Sequence, residues 1–335
     1  MAVPRQVMQD IYEEVKTPYK YGLLLLPEAG MTYDCPSVFR HGDRWYMLYV
    51  QFDGMGYETY LAESDDLLVW NRTGKILTRT GTGWDANQAA GFIALQDTTW
   101  AGRNELLKHD DVYWLSYIGG ALPGLEKEPL AIGLASTSRP EEPAEWTRIE
   151  HNPVLHRDQP NARAFEAQTL YKSTVILDEN KTLGHPFVMY YNGKQKGEWV
   201  ERIGMALSDD MVHWQRHGDG PVVDNGSGIS GDPQLVRIGE VWVMFYFGAT
   251  YRPKAFDTFA CSHDLERWTK WDGPDLIEPS EPWDDVFAHK PWVIKHDGVV
   301  YHFYCAVGDK GRTIALATSE DMGRSALTGP RRQSE

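Results

Sequence analysis

The stretch "GMALSDDMVHW" (204–214) is one of five variations on a single phrase. The others are "YLAESDDLLVW" (60–70), "GLASTSRPEEPAEW" (133–146), "TFACSHDLERW" (258–268) and "IALATSEDM" (314–322). Each is a strand-like run ending in an acidic turn. Asp65, Asp66, Asp209 and Asp210 read as turn formers, and the Trp that follows reads as an indole packed between units. A second phrase precedes each of these: "PSVFRHGDRWYMLYV" (36–50), "NELLKHDDVYWLSYI" (104–118), "STVILDENKTLGHPFVMYYN" (173–192), "PQLVRIGEVWVMFYF" (233–247) and "PWVIKHDGVVYHFYC" (291–305). A short apolar strand, a turn containing Gly, Asp or Asn, and a second aromatic strand make a hairpin signature.

The two phrases alternate five times at steps of roughly 55 to 75 residues, longer than a hairpin needs and long enough for a four-stranded unit. The expected fold is therefore all-β, a single five-bladed β-propeller over residues 1–335. Its blades fall at about 31–75, 85–150, 163–218, 229–272 and 286–325 by the repeat spacing. "YGLLLL" (21–26) is a candidate outer strand for the last blade, and the polar tail "LTGPRRQSE" (327–335) is expected to be frayed.

In such a fold the first strand of each blade lines the central channel, so strand starts converge on one mouth. Aligning the hairpins on their turns brings Asp34-Cys35-Pro36 together with Gly102-Arg103-Asn104, Lys172-Ser173, Gly231-Asp232-Pro233 and His289-Lys290-Pro291. The mouth then holds two carboxylates, two lysines, an arginine and a histidine. Buried cations need anions, so Arg103, Lys172, Lys290 and the nearby Arg163 leave three readings open: internal ion pairs, an acidic sugar, or phosphate.

Composition narrows the function. A net charge of -15 argues against a nucleic-acid partner. No apolar run approaches a membrane span, so no membrane partner is expected. The N-terminal residues lack the order of a secretory signal, which leaves both a cytoplasmic protein and a secreted one with its signal removed. Cys35, Cys261 and Cys305 are too few and too dispersed for a disulfide or zinc framework and read as reduced, buried thiols. The histidines show no ligand spacing, so neither a metal nor another cofactor is expected. Oligomeric state has no signal in the sequence.

The opening around Asp34, the acidic turn phrase and the five-fold repeat resemble the five-bladed propeller glycosidases: β-xylosidases, α-arabinofuranosidases, arabinanases, invertases and mannoside phosphorylases. The resemblance spans residues 22 to 323 and implies a glycoside hydrolase acting on a terminal sugar of an oligosaccharide or glycan, inverting, with phosphorolysis and a binding-only propeller as the alternatives. It implies that Asp34 is the base and Glu166, in "RAFEAQTLYK" (163–172), the acid, with Asp232 as the remaining inward carboxylate. "GTGWDANQAAGF" (81–92) and "EPWDDVFAHKP" (281–291) set Trp-Asp ahead of an inner strand in the same way, which makes Asp85, Glu166 and Asp284 equivalent and Asp85 a rival acid. His289 is expected to donate to substrate. Trp292, Trp84 and Trp283 are candidates for stacking on a sugar ring.

Overall fold

In the computed structural model, which describes residues 2–328, the regular structure is almost entirely strand. Residues 329–335 of the polar tail lie outside the described residues. Helix α1 (Arg5–Val15) and strand β1 (Tyr19–Leu23) come first. Then follow β2 (Thr32–His41), β3 (Arg44–Phe52), β4 (Tyr57–Ser64) and β5 (Asn71–Leu77), and after them β6 (Gln88–Ala94), β7 (Tyr113–Gly120), β8 (Leu130–Thr137) and β9 (Thr147–Arg148). The third set is β10 (Thr169–Leu177), β11 (Phe187–Lys194), β12 (Glu201–Ser208) and β13 (Gln215–Arg216). The fourth is β14 (Ile229–Ile238), β15 (Val241–Ala249), β16 (Ala255–Ser262) and β17 (Thr269–Lys270), and β18 (Phe287–His296), β19 (Val299–Gly308) and β20 (Gly311–Thr318) complete the order.

Within each set the strands pair antiparallel in sequence order, and β1 pairs antiparallel with β20, the position read for "YGLLLL". Successive sets touch through single parallel pairs, Ala94 with Val175 and Glu201 with Ile229. Apolar side chains fill the seams between sets: Leu134 with Met189, Met205 with Leu235 and Met244, and Phe245 with Val293 beneath Met8 and Ile11 of α1. All three cysteines are buried and free.

The turn phrase behaves as its residue types predict. Asp66 Oδ1 accepts the backbone N–H of Leu68 and Val69, and Asp210 Oδ1 that of Val212 and His213. The indoles that follow reach neighbouring sets, Trp70 edge-on to Phe303 and Trp268 edge-on to Tyr190.

The second set departs from expectation. Its inner strand is β6, not the segment beginning at Asn104. Ala89, Ala90 and Gly91 lie close against Thr59 of β4, where a Cβ at position 91 would sit 2.9 Å from the Thr59 hydroxyl. Small residues fit there, and they carry no strand signature. The segment between β6 and β7 instead crosses the far ends of three inner strands. Asn104 accepts the Arg40 N–H and donates to the Lys295 carbonyl, and Trp100 N–H reaches the Arg237 carbonyl.

Candidate active site

Four inner strands, β2, β10, β14 and β18, carry a register shift near their starts. In three of them the extra residue has a left-handed backbone and is followed by proline: Cys35 (φ 50), Asp232 (φ 54) and Lys290 (φ 64). Proline donates no ladder hydrogen bond, so it sits at a bulge without loss, and the bulge re-aims the preceding side chain. Such backbone conformations cost of order 1–3 kcal/mol each and collect at functional sites. Cys35, Lys172, Asp232 and Lys290 all line one pocket of about 330 Å³, the size of a small-ligand site.

The expected base, Asp34, is 0% exposed and lies beneath this pocket rather than in its wall. Its Oδ2 accepts Lys290 Nζ at 2.9 Å, Arg312 at 2.7 Å and the Tyr57 hydroxyl at 3.4 Å, and its Oδ1 accepts the Cys35 N–H. Burial opposes its ionisation, but Lys290 and Arg312 outweigh burial and hold the carboxyl well below the usual range. Both cations and the Tyr57 hydroxyl converge on Oδ2, while Oδ1 takes the Cys35 N–H. Asp34 anchors two cations.

Asp232 does line the pocket. It receives Asn192 Nδ2 at 3.3 Å, has Cys35 Sγ at 3.6 Å and faces Lys172 Nζ at 3.8 Å. Gly231 beside it has no room for a side chain, since a Cβ there would meet Asn192 at 2.1 Å. Lys172 is almost wholly buried over Phe92 and Trp292, and its Nζ makes no hydrogen bond among the described residues. His289 lines the pocket and shares a hydrogen bond between Nδ1 and the Cys305 carbonyl. Burial, with Arg312 and Lys290 nearby, pushes its pKa down to about 3, so it is neutral.

Other expected site residues lie elsewhere. Arg103 is 79% exposed and pairs with Glu105 on the segment that covers the far end of the inner strands. Glu166 sits in the loop before β10, outside the pocket lining, bonded to the Tyr191 hydroxyl (2.6 Å), Arg216 (2.6 Å) and Arg163 (3.1 Å). Arg163 is consumed by that carboxylate and by the His217 and Gly218 carbonyls. Asp85 is placed alike, held by Arg148 (2.6 Å), Tyr117 (3.2 Å) and Thr80 (3.0 Å), and Asp284 by Tyr304 and Lys20. The three are placed alike, each joining the loop before an inner strand to a Tyr of the second strand of its set. Trp292 is buried with its indole on the Val38 carbonyl, while Trp84 packs on Tyr117 and Trp283 bonds Tyr304. None of the three indoles lines the pocket.

The pocket wall contains residues that the sequence reasoning missed: Tyr57, Glu126, Asn192, Trp199, Glu201 and Arg312. Glu201 opens β12 and is 6% exposed. Trp199 Nε1 donates to its Oε1 at 2.8 Å and Asn192 lies at 3.5 Å. Burial pushes its pKa up to about 7, Trp199 works against the shift, and Glu126 and Asp232 add to it. Glu126 comes from the β7–β8 connection, which Gln88 holds through the Leu122 and Gly124 carbonyls. Its Oε1 lies 3.4 Å from both Lys290 Nζ and the Tyr57 hydroxyl, and its side chain keeps partial exposure to the pocket.

Solved structures resemble this protein throughout. One named "Glycoside hydrolase" is 47% identical and covers 99% of this chain and 100% of that one, with a TM-score of 0.93. Another, a complex whose name pairs BT0996 with RGII, matches with the same identity, coverage and TM-score. A thermostable family-43 glycoside hydrolase, 15% identical over 95% of this chain and 100% of its own with a TM-score of 0.64, shares the fold. No protein-family model matches the sequence, and no curated protein matches it significantly.

Proposed function

This protein belongs to the glycoside hydrolases of the β-propeller superfamily, and on that premise we propose that it hydrolyses a terminal neutral sugar from an oligosaccharide, with Glu201 as acid and Glu126 as base. The observation that carries this reading is the contrast between the two pocket carboxyl groups. Glu201 is buried, with its pKa at about 7, so it can hold a proton for a leaving oxygen at neutral pH. Glu126 is tied to Lys290 and Tyr57 and still borders open space, where it can draw a proton from water. That is the division of labour glycoside hydrolysis requires, and we propose the inverting course. The four-stranded sets would be five blades of one domain, with β1 completing the last.

The charge balance favours a neutral substrate. Lys172, Lys290 and Arg312 face Asp34, Asp232 and Glu126, which leaves no surplus cation for a uronate or a phosphate. Lys172 Nζ, unpaired by hydrogen bonds, would donate to a hydroxyl or ring oxygen of the bound sugar. Cys35 and His289, a neutral thiol and a neutral ring, would complete the wall around it. The complex named for RGII, at 47% identity, supports an RGII oligosaccharide as the glycan.

The test is turnover by purified protein on RGII-derived oligosaccharides and aryl glycosides, with and without phosphate, comparing wild type with Glu201→Gln and Glu126→Gln. Phosphate-independent release of a neutral sugar, lost in both variants, is expected, and NMR should find the first-formed product with inverted anomeric configuration. A phosphorylated product would overturn hydrolysis, retained configuration would make Glu126 a nucleophile, and unchanged activity in Glu201→Gln would remove it as the acid.

A further inference from the structure

Trp199 is the most exposed large apolar side chain among the described residues, at 64%, yet it is held on two sides. It lies at the tip of the β11–β12 connection, in the pocket wall. Lys194 Nζ rests 4.3 Å from its ring centroid and covers one face. That ammonium is fixed by Glu128, which also receives the Tyr171 hydroxyl (2.6 Å) and Gln168 (2.9 Å). The ring edge is fixed as well, through Nε1 on Glu201. One indole face is left bare, beside the carboxyl group that would protonate a leaving oxygen.

The surroundings define what that face can take. Leu125, on the connection that carries Glu126, is also exposed and lines the pocket, so the mouth presents apolar surface on both arms. The nearby cations are engaged, Lys194 with Glu128 and Arg202 with Asp224 and Gln195. A neutral sugar offers a matching surface, the C–H face of its ring. Rings clamped in this way lose little conformational entropy when a ligand stacks on them.

We propose that Trp199 is a bifunctional aglycone subsite: its bare face stacks on the neutral sugar that leaves, and its N–H holds Glu201 Oε1 so that the proton is delivered to that sugar's oxygen. This rests on the acid role proposed for Glu201. The indole is a positioning residue for the acid and a specificity element for the leaving group. Glu201 is also faced by Glu126 from the β7–β8 connection, Asp232 from β14, Tyr171 from β10 and Asn192 from β11, none of them a cation. Trp199 Nε1–H is therefore its shortest favourable contact, and removing that donor should keep Glu201 protonated to higher pH.

Three variants test this in the full-length protein. Trp199→Phe keeps the cover and the stacking face but loses the donor, so the alkaline limb of the pH–rate profile on RGII oligosaccharide should move upward with little change in KM. Trp199→Ala should weaken binding of that oligosaccharide roughly tenfold. In the unliganded protein, the emission of wild type minus that of Trp199→Phe should titrate near neutrality as Glu201 ionises, and Glu201→Gln should abolish the titration. A flat difference emission together with unaltered affinity in Trp199→Ala, while Glu201→Gln is inactive, would overturn the subsite and leave the acid standing. Full activity in Glu201→Gln would sink the acid reading itself.

Discussion

Two populations of buried carboxyl groups occupy this fold, and their contrast separates anchoring from chemistry. At the loops before β6, β10 and β18, Asp85, Glu166 and Asp284 each meet a Tyr of the middle strand and at least one cation, and lie outside the lining of the pocket. At the mouth, Glu126, Glu201 and Asp232 border a 330 Å³ space, with Asp34 deeper and bonded to two cations. Burial is common to both populations, Glu126 being the partly exposed exception. What distinguishes a site is burial with unfinished hydrogen bonding that points into space.

The contrast can be attacked from either side. The largest effect should be at the mouth: Glu201→Gln should lower kcat/KM on a sugar leaving group by about 10²–10⁴-fold, as loss of a general acid does. Glu166→Gln should do the reverse. It leaves Arg216 and Arg163 without their carboxylate, so the melting temperature should drop with a loss of about 3–5 kcal/mol, while kcat of the folded protein stays unchanged. A fall in kcat there would erase the distinction.

Stability against pH sharpens the same point. The folded pKa of Glu201 is about 7, above its ordinary 4.5, so its contribution is intact at low pH and is lost as pH rises through about 7. Glu201→Gln should therefore be more stable than wild type above neutrality, by about 3 kcal/mol, and indistinguishable in acid. Lys172→Met should raise KM by roughly tenfold, the worth of one hydrogen bond from a charged donor, and lower the melting temperature because Asp232 stays buried without that cation. Smallest of all, Asp210→Ala in the turn phrase should cost about 1 kcal/mol of stability and nothing in activity.

The repeats were legible because turns and hairpins are local. The acidic turns and the seam-packed indoles follow from short-range residue types, whereas the pairing of "YGLLLL" with β20 followed from the need to complete the last repeat. The approach of Asp34 to Lys290 was legible too, since both precede a proline at a strand start. The acid was not. Reasoning from first-strand starts used one of three positions available at the mouth. In an antiparallel set the end of the second strand and the start of the third lie at the same level, and that is where Asn192, Tyr57, Glu201 and Arg312 stand. Glu126 and Trp199 lie on connections whose paths depend on partners far along the sequence, Gln88 and Glu128 among them, and no periodicity reports such paths. Arg103 was expected at the mouth and lies instead, exposed, on the segment that crosses the far ends of the inner strands.

The partners of Asp34 lie 256 and 278 residues later in the sequence. During synthesis its carboxyl group therefore waits, without its second cation, until the chain has been made as far as Arg312, and β1 waits equally long for β20. A product cut short before Lys290 would hold a stranded charge under its mouth and a bare sheet edge at its beginning. Completeness is thus written into the platform beneath the pocket, and unfinished copies should be readily recognised by quality-control proteases.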